Sequence, residues 1–487
     1  MKDKILSYLN NNNHYWWTVG LLPGMYAMTY LYTNNYTLVN SWTQFSYLVL
    51  TMTIIPSTIT ILGNFLLRNK SQRIKTIFNS SVFIITAGIT LSLVIYFRYR
   101  WKGIILLIVA AIVVSWLIGK HYKKGVLFLA LMTLIGIAQF NYYYFTKIIN
   151  KEQWITDNNI AETTFTKKPN IYLIQPDGYA GKIALLNEYY NYDNSLFYDQ
   201  MSELGFKFNH NYRSNYPSTL SSNITLFSGQ HHFYENGTMI NEPIDAREII
   251  MENNPVLKAF KSNGYFTTAI LQHRYLLMNH PAIGYDRINI SEDELAIIPN
   301  HELNKDYISE LEKALSTENS QPQFYFIEIL EPGHIPNEMG KDTSIKKERD
   351  KYIEKLKSTN EDLIQMTSMI TNHDPNAIVV IAADHGGFVG FNYSTECFIE
   401  PSNKTYLHQA IFSALLTIKA PTEFQSYHNN IKSTISVFPT LFNYLAQDSV
   451  TKNKLDNSSY QLIKSGTQRG IYKYYDENGI PVTEKIQ

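Results

Sequence analysis

Three short segments of this chain carry side chains suited to metal ions and phosphate. In PNIYLIQPDGY an apolar run, residues 171–174, ends at Asp177. In NAIVVIAADHGG, about two hundred residues later, a second apolar run, residues 378–382, ends at Asp384 and His385. Each run reads as a buried parallel strand with metal-seeking groups just past its C-terminal end, the edge at which open α/β sheets hold ligands. Asp384 and His385 can turn an oxygen and a nitrogen toward one ion, and the glycines that follow permit a tight exit. Between the runs lies SNYPSTLSSN, where Thr219 sits at the entry from a loop into a helix and backbone N–H groups would face an anion. A cation beside a threonine oxygen makes it a better nucleophile by stabilising the alkoxide. On composition alone Ser218, Ser221 and Ser222 compete for that role, and Asp177 taken singly reads equally well as a helix cap or turn residue.

The elements that must carry these residues follow from hydropathy and charge. At 487 residues the chain has room for two or three domains. Its 42 Lys and Arg balance 42 Asp and Glu, so net charge is uninformative. Their distribution says more, because Asp3 is the sole acidic residue up to residue 147. Apolar blocks at residues 16–32, 45–67, 77–97, 104–118 and 126–144 predict five membrane spans, most of them near the about 20 residues that a crossing needs. Expected boundaries are 1–147 for the transmembrane domain, 148–168 for a linker, 169–447 for a catalytic domain, and 448–487 for a tail. In that tail Asn478-Gly479 signals a type I′ hairpin. With five spans, Lys2, Lys4, Arg68, Lys70, Arg73, Lys75, Lys120, Lys123 and Lys124 fall on one side, against Arg98, Arg100 and Lys102 on the other. That bias predicts a cytoplasmic N-terminus, no cleaved leader and an extracytoplasmic domain beyond residue 144. Cys397 is the one cysteine, which excludes an intramolecular disulfide and a cysteine zinc cluster. The later part has no basic stripe, so nucleic acid is not an expected partner.

Beyond residue 168 short apolar runs alternate with amphipathic stretches, the pattern of a βαβ sheet. Strands are predicted at 266–271, 324–330, 378–382 and 411–418, and helices at 197–204, 256–261, 346–370 and 434–445.

In this order and spacing the three motifs resemble the alkaline phosphatase/sulfatase superfamily. An anchor followed by an external domain resembles its membrane branch, typified by lipoteichoic acid synthase and lipid A phosphoethanolamine transferase. The resemblance covers roughly residues 168–446 and includes VFPTLFNYL, which is similar to the helix that closes such domains. It implies an α-helical five-span membrane domain followed by an α/β sulfatase/alkaline-phosphatase-like domain with a mostly parallel central sheet. It also implies that Asp177, Thr219, Asp384 and His385 bind one divalent metal (Zn, Mn or Mg). Thr219 takes the nucleophile position of the S-x-Y-x-x-T pattern that starts at Ser214. His334, in EILEPGHIP, resembles the histidine that contacts substrate phosphate or serves the leaving group. His273, with Arg274 beside it, and more weakly His408 fall near other substrate-pocket positions. Glu331, His334 and His408 offer a possible second metal site, as in two-metal phosphodiesterases.

Two departures matter. Transferases of this branch often have Glu where this chain has Asp177, a residue common in hydrolases of the superfamily. The C/S-x-P-x-R motif of sulfatases does not occur, so sulfate ester hydrolysis by that route is not expected. The expected function is transfer of a phospholipid-derived head group, phosphoethanolamine or phosphoglycerol, through phospho-Thr219 onto a cell-surface glycan or glycolipid. It would take place at a bacterial cytoplasmic (inner) membrane, on the periplasmic face if there is an outer membrane bearing lipopolysaccharide. A phosphodiesterase or phosphatase-type hydrolase, or a catalytically silent partner in glycan assembly, are the alternatives.

Overall fold

A computed structural model describes the chain except residues 1, 151–153, 156–158, 237–242, 298–302, 318–319, 341–343, 449–454 and 487. Two compact units emerge. One is Met1–Lys151 with Met278–His280 and Leu295–Glu302, and the other is Glu152–Leu277, Pro281–Glu294 and Leu303–Gln487.

The first unit is helical, and it corrects the expectation of five spans. Among the described residues three helices are long and apolar enough to cross a membrane: Trp42–Leu66, Gln72–Tyr96 and Trp101–Ile149. The physical reason is twofold. The first apolar block falls on Leu22–Val39, whose Tyr, Thr and Asn side chains dilute its hydropathy. The fourth and fifth blocks join into one helical run, because the Gly119–His121 turn between them is a 3₁₀ turn and not a loop.

The second unit is built on a seven-stranded sheet. Its strands are β1 (Ile171–Pro176), β2 (Lys207–Phe208), β3 (Phe266–Leu271), β4 (Arg287–Ile288), β5 (Gln323–Ile329), β6 (Ile378–Ala382) and β7 (Leu416–Lys419), in the order β2-β7-β6-β1-β5-β3-β4. The pairings β1–β5, β1–β6, β3–β5 and β3–β4 are parallel, whereas β6–β7 and β2–β7 are antiparallel. The sheet is therefore mixed, with four parallel pairings and two antiparallel ones at the β2-β7-β6 edge. The run at 411–418 carried no visible break, yet its first two residues close the helix Thr405–Phe412 and only its end joins β7. Residues 383–415 between β6 and β7 would suffice for a parallel crossover, yet β7 runs antiparallel to β6.

Strands β1 and β6 are buried along their whole length, as a sheet covered on both faces requires. On one face Phe227 packs on Phe326 at 5.0 Å and Phe260 stacks on Phe324 at 4.1 Å, with Phe438 near both helices. These rings belong to the helices Thr219–Ser228, Pro255–Ser262 and Val437–Ala446. On the other face Tyr172 stacks on Tyr325 at 4.5 Å. The 29-residue helix Ile345–His373 is capped by Ser344, which accepts from Lys347 N–H, and buries a stripe including Tyr352, Leu356, Leu363, Met366 and Ile370.

A second, antiparallel sheet closes the unit, formed by β8 (Ser459–Ile463), β9 (Gly470–Tyr475) and β10 (Pro481–Lys485). The hairpin between β9 and β10 is not type I′. Only Gly479 has a positive φ (+86°), Gly479 N–H donates to Asp476 O, and Asp476 N–H donates to Ile480 O. That is a type I turn followed by a left-handed glycine, the three-residue solution with a bulge.

Candidate metal centre and active site

The sheet edge assembles the site from four chain segments. Strand β1 ends at Pro176, and Asp177 N–H donates to Ile329 O of the neighbouring strand β5. Gly178 then turns with φ +64°, and an added Cβ there would lie 2.4 Å from Gly333 O, so only glycine fits. Gly333 N–H donates to Asp177 O, which fixes the loop carrying His334 beside Asp177. Strand β6 ends at Ala382, and Asp384 follows it. Asp384 Oδ1 accepts from Gly178 N–H at 3.0 Å and from His385 N–H at 2.8 Å, tying the two strand ends together. Thr219 is the first residue of its helix, whose first-turn N–H groups have no intrahelical partners.

The side chains converge. Thr219 Oγ1 donates to Asp177 Oδ1 at 3.0 Å and lies 3.5 Å from His385 Nε2. His385 Nε2 is 3.4 Å from Asp177 Oδ1 and 3.4 Å from Asp384 Oδ2. His385 Nδ1 donates to Gly386 O at 2.8 Å, which leaves the Nε2 lone pair facing both carboxylates. His334 is oriented the same way, with Nδ1 donating to Ile335 O, and its ring stands 5.9 Å from that of His385.

These residues fit a divalent cation. Ligand atoms of Asp177, Asp384 and His385 all lie within 4.8 Å of one another. Asp384 Oδ2 is buried with no hydrogen-bond partner, an arrangement that is costly unless a cation meets it. The electrostatics agree. Burial pushes the Asp384 carboxyl well up, and the charge of Asp177 adds to that. At Asp177 burial pushes upward too, but the imidazoles of His385 and His334, with hydrogen bonds from Asp384 and Thr219, outweigh it and hold that carboxyl below the usual range. Two carboxylates this close share one proton unless positive charge is supplied between them.

The remaining sequence-predicted residues do not join this cluster in the same way. Among the described residues no second group of three such ligands converges, so Glu331, His334 and His408 do not form the second metal site considered above. His408 instead donates from Nε2 to Ser402 O at 2.5 Å and packs on Tyr474 at 4.4 Å, against the second sheet. His273 and Arg274 are buried just past the C-terminal end of β3, where Arg274 Nη1 donates to Glu294 O at 3.1 Å.

Two residues of the site went unremarked in the sequence. Glu328 lies on β5 in register with Gln175, and both of its carboxylate oxygens are buried without partners. Burial pushes this carboxyl well up, and Asp177 and Asp384 reinforce it. An acid inside the apolar run QFYFIEIL was a readable signal. Tyr352 gave none. Its hydroxyl donates to Gly178 O at 2.9 Å and accepts from Ala180 N–H at 2.9 Å, strapping the loop behind Asp177.

No family model and no curated protein matches the chain. Among solved structures it is similar to the integral membrane protein lipooligosaccharide phosphoethanolamine transferase A of Neisseria meningitidis. The identity is 11%, with a TM-score of 0.43 over 89% of this chain and 97% of that one. It is also similar to the C-terminal periplasmic domain of EptC from Escherichia coli in complex with Zn, at 10% identity and TM-score 0.43 over 65% and 94% of the two chains. The lipoteichoic acid synthase LtaP of Listeria monocytogenes matches at 12% identity and TM-score 0.40 over 68% and 92%.

Proposed function

We propose that the chain is a metal-dependent, membrane-anchored phosphotransferase of the alkaline phosphatase/sulfatase superfamily, with Thr219 as its nucleophile. The observation that carries this reading is the Thr219 hydroxyl, seated at a helix N-terminus 3.0 Å from Asp177 and 3.5 Å from His385. A hydroxyl in that position meets both the candidate ligands and the N–H groups that stabilise an anion.

Asp177, Asp384 and His385 would hold the divalent cation, with Thr219 beside them. When bound, the cation supplies charge stabilisation for the alkoxide and for the phosphoryl oxygens. Thr219 Oγ1 attacks the phosphorus of a membrane phospholipid, and its proton passes to Asp177 Oδ1, at which it already points. The Oγ1–P bond forms as the P–O bond to diacylglycerol breaks. His334, although burial lowers its pKa, takes up a second proton at Nε2 for this step and gives it to the departing oxygen. In the second half the hydroxyl of a surface glycan or glycolipid attacks phosphothreonine and loses its proton to His334, while Asp177 returns a proton to Thr219 as its P–O bond breaks. The anchor keeps the site near a donor whose acyl chains stay in the bilayer. In this reading the catalytic domain is extracytoplasmic and the N-terminus cytoplasmic, in keeping with the Lys and Arg bias.

The test is peptide mass spectrometry of the detergent-purified protein after incubation with bacterial lipids and divalent metal, wild type beside Thr219→Ala. The expected result is a phosphate-containing adduct on the Thr219 peptide, absent in the variant, whose mass identifies the head group. Lipid turnover without an adduct, and without any acceptor, would replace this reading with a hydrolase.

A further inference from the structure

A cavity of about 540 Å³ lies between the edge of the main sheet and the turn of the C-terminal hairpin, and none of Asp177, Thr219, His334, Asp384 or His385 lines it. Its volume falls within the range of about 300–1,000 Å³ typical of small-molecule sites. The lining is unusual in kind. Five carboxamide side chains contribute to it, with Lys432 and Arg213, and no acidic side chain does. Asn211, Gln409 and Asn429 make no side-chain hydrogen bond among the described residues, and neither does the Lys432 ammonium.

The buried wall adds an independent observation. Arg213 is 7% exposed and Ser413 is 5% exposed, yet Arg213 Nε and Ser413 Oγ are both buried without a partner. The guanidinium is not loose. Its Nη2 donates to Asn457 O at 2.8 Å and to Asp476 O at 3.0 Å, and it stands 5.7 Å from the Tyr475 ring centroid. A fixed cation with an unspent donor, on the wall of an open cavity, calls for an acceptor from outside the chain.

The chemistry specifies the class. Carboxamides donate and accept at once, as do the vicinal hydroxyls of a sugar. Asp476 and Asp456 stand near Arg213 without lining the cavity, so Lys432, an exposed cation on a lining that has no acidic side chain, is the group that favours an anionic substituent. We propose that this cavity binds an acidic saccharide, a sugar bearing a carboxylate or a phosphate. The wall is continuous with the catalytic segments. Gly181 N–H donates to Ser413 O at 2.9 Å four residues past Asp177, and Ser214 N–H donates to Phe412 O at 2.8 Å five residues before Thr219. The saccharide is accordingly part of the acceptor glycan, an assignment that rests on the transferase reading, whereas the binding does not.

The test is isothermal titration calorimetry on the full-length protein in detergent, with trigalacturonate, glucose 6-phosphate and neutral maltotriose as probes. One anionic saccharide is expected to bind at least tenfold more tightly than maltotriose. Tighter binding of trigalacturonate assigns a uronate, and tighter binding of glucose 6-phosphate assigns a sugar phosphate. Lys432→Ala and Asn429→Ala, both at exposed side chains, are each expected to weaken that binding about tenfold, while Thr219→Ala and removal of divalent metal leave it unchanged. The proposal is overturned if no probe binds, if maltotriose binds equally well, if the two cavity variants bind as wild type does, or if binding disappears with the metal. Failure to find the Thr219 adduct would leave all of these results readable, so the two readings fail separately.

Discussion

Two polar recesses of the second unit, the candidate metal site and the cavity beside the hairpin, are built on opposite plans. At the sheet edge, anionic ligands are held by backbone: Asp177 is tied to Ile329 and Gly333, and Asp384 to Gly178 and to the His385 N–H. Little there can move without breaking the ends of two central strands. In the cavity beside the hairpin, cationic and amide groups come from several separate segments, and the side chains of Asn211, Gln409 and Asn429 have no internal partner. The first plan suits one ion and one reaction, since catalysis needs charge fixed in advance. The second suits recognition, in which the ligand itself completes the hydrogen bonds.

Breaking the first recess is expected to be the more damaging. Loss of the nucleophile in Thr219→Ala is expected to lower head-group transfer on the order of 10⁴-fold with metal content retained, as for other nucleophile deletions. Transfer within tenfold of wild type would remove Thr219 from the reaction. Asp384→Asn is expected to reduce bound divalent metal at least tenfold by elemental analysis, whereas Lys432→Ala leaves it unchanged. Equal metal loss in the two variants would erase the distinction between the recesses.

A subtler break lies behind the ligands. Tyr352→Phe leaves Ala180 N–H without its acceptor, a cost of about 1–3 kcal/mol. It is expected to lower transfer about 10- to 100-fold, the range typical for groups that orient metal ligands. A variant that melts earlier but transfers normally would make Tyr352 a purely structural residue.

The smallest effect is expected from acid. His232 is held well below its usual range by burial and then by neighbouring His231, and burial also lowers His408. The folded state therefore refuses protons that the unfolded state accepts. Their contribution is intact above the unfolded value of about 6.5 and erodes as pH falls below it, at up to about 1.4 kcal/mol per group per pH unit. Urea denaturation at pH 7.5 and 5.5 should show the loss, and His408→Gln should reduce its slope. An unchanged slope would remove His408 from the acid response.

Much of the candidate metal centre was legible because its chemistry sits in short contiguous motifs. An apolar run ending in Asp177, and another ending in Asp384-His385, each state a strand and a ligand together. Element existence was also legible where periodicity was long, as in Ile345–His373, where burial repeats on one helical face. The misreadings arose where local pattern is silent. Hydropathy cannot tell a loop from the 3₁₀ turn Gly119–His121, and it overrates the Tyr-, Thr- and Asn-diluted Leu22–Val39, so five blocks predict five spans where three helices qualify among the described residues. An apolar run cannot reveal that a helix ends at Phe412 and a strand begins at Leu416. Nor does Asn-Gly alone set the turn type, which depended on a left-handed conformation at Gly479 only.

By itself, then, the sequence determined which side chains could meet a cation and at which ends of which strands, since residue type and strand polarity are local properties. Tertiary structure decided the partners. It brought Thr219 within 3.0 Å of Asp177 across 42 residues, and His385 to Asp177 across more than two hundred. It turned His408 onto Tyr474 and placed Tyr352 behind Asp177. It also gathered Asn211, Gln409, Asn429 and Lys432 around one cavity. Such meetings are fixed by strand order and by the return of the C-terminal hairpin, and no spacing along the chain encodes them.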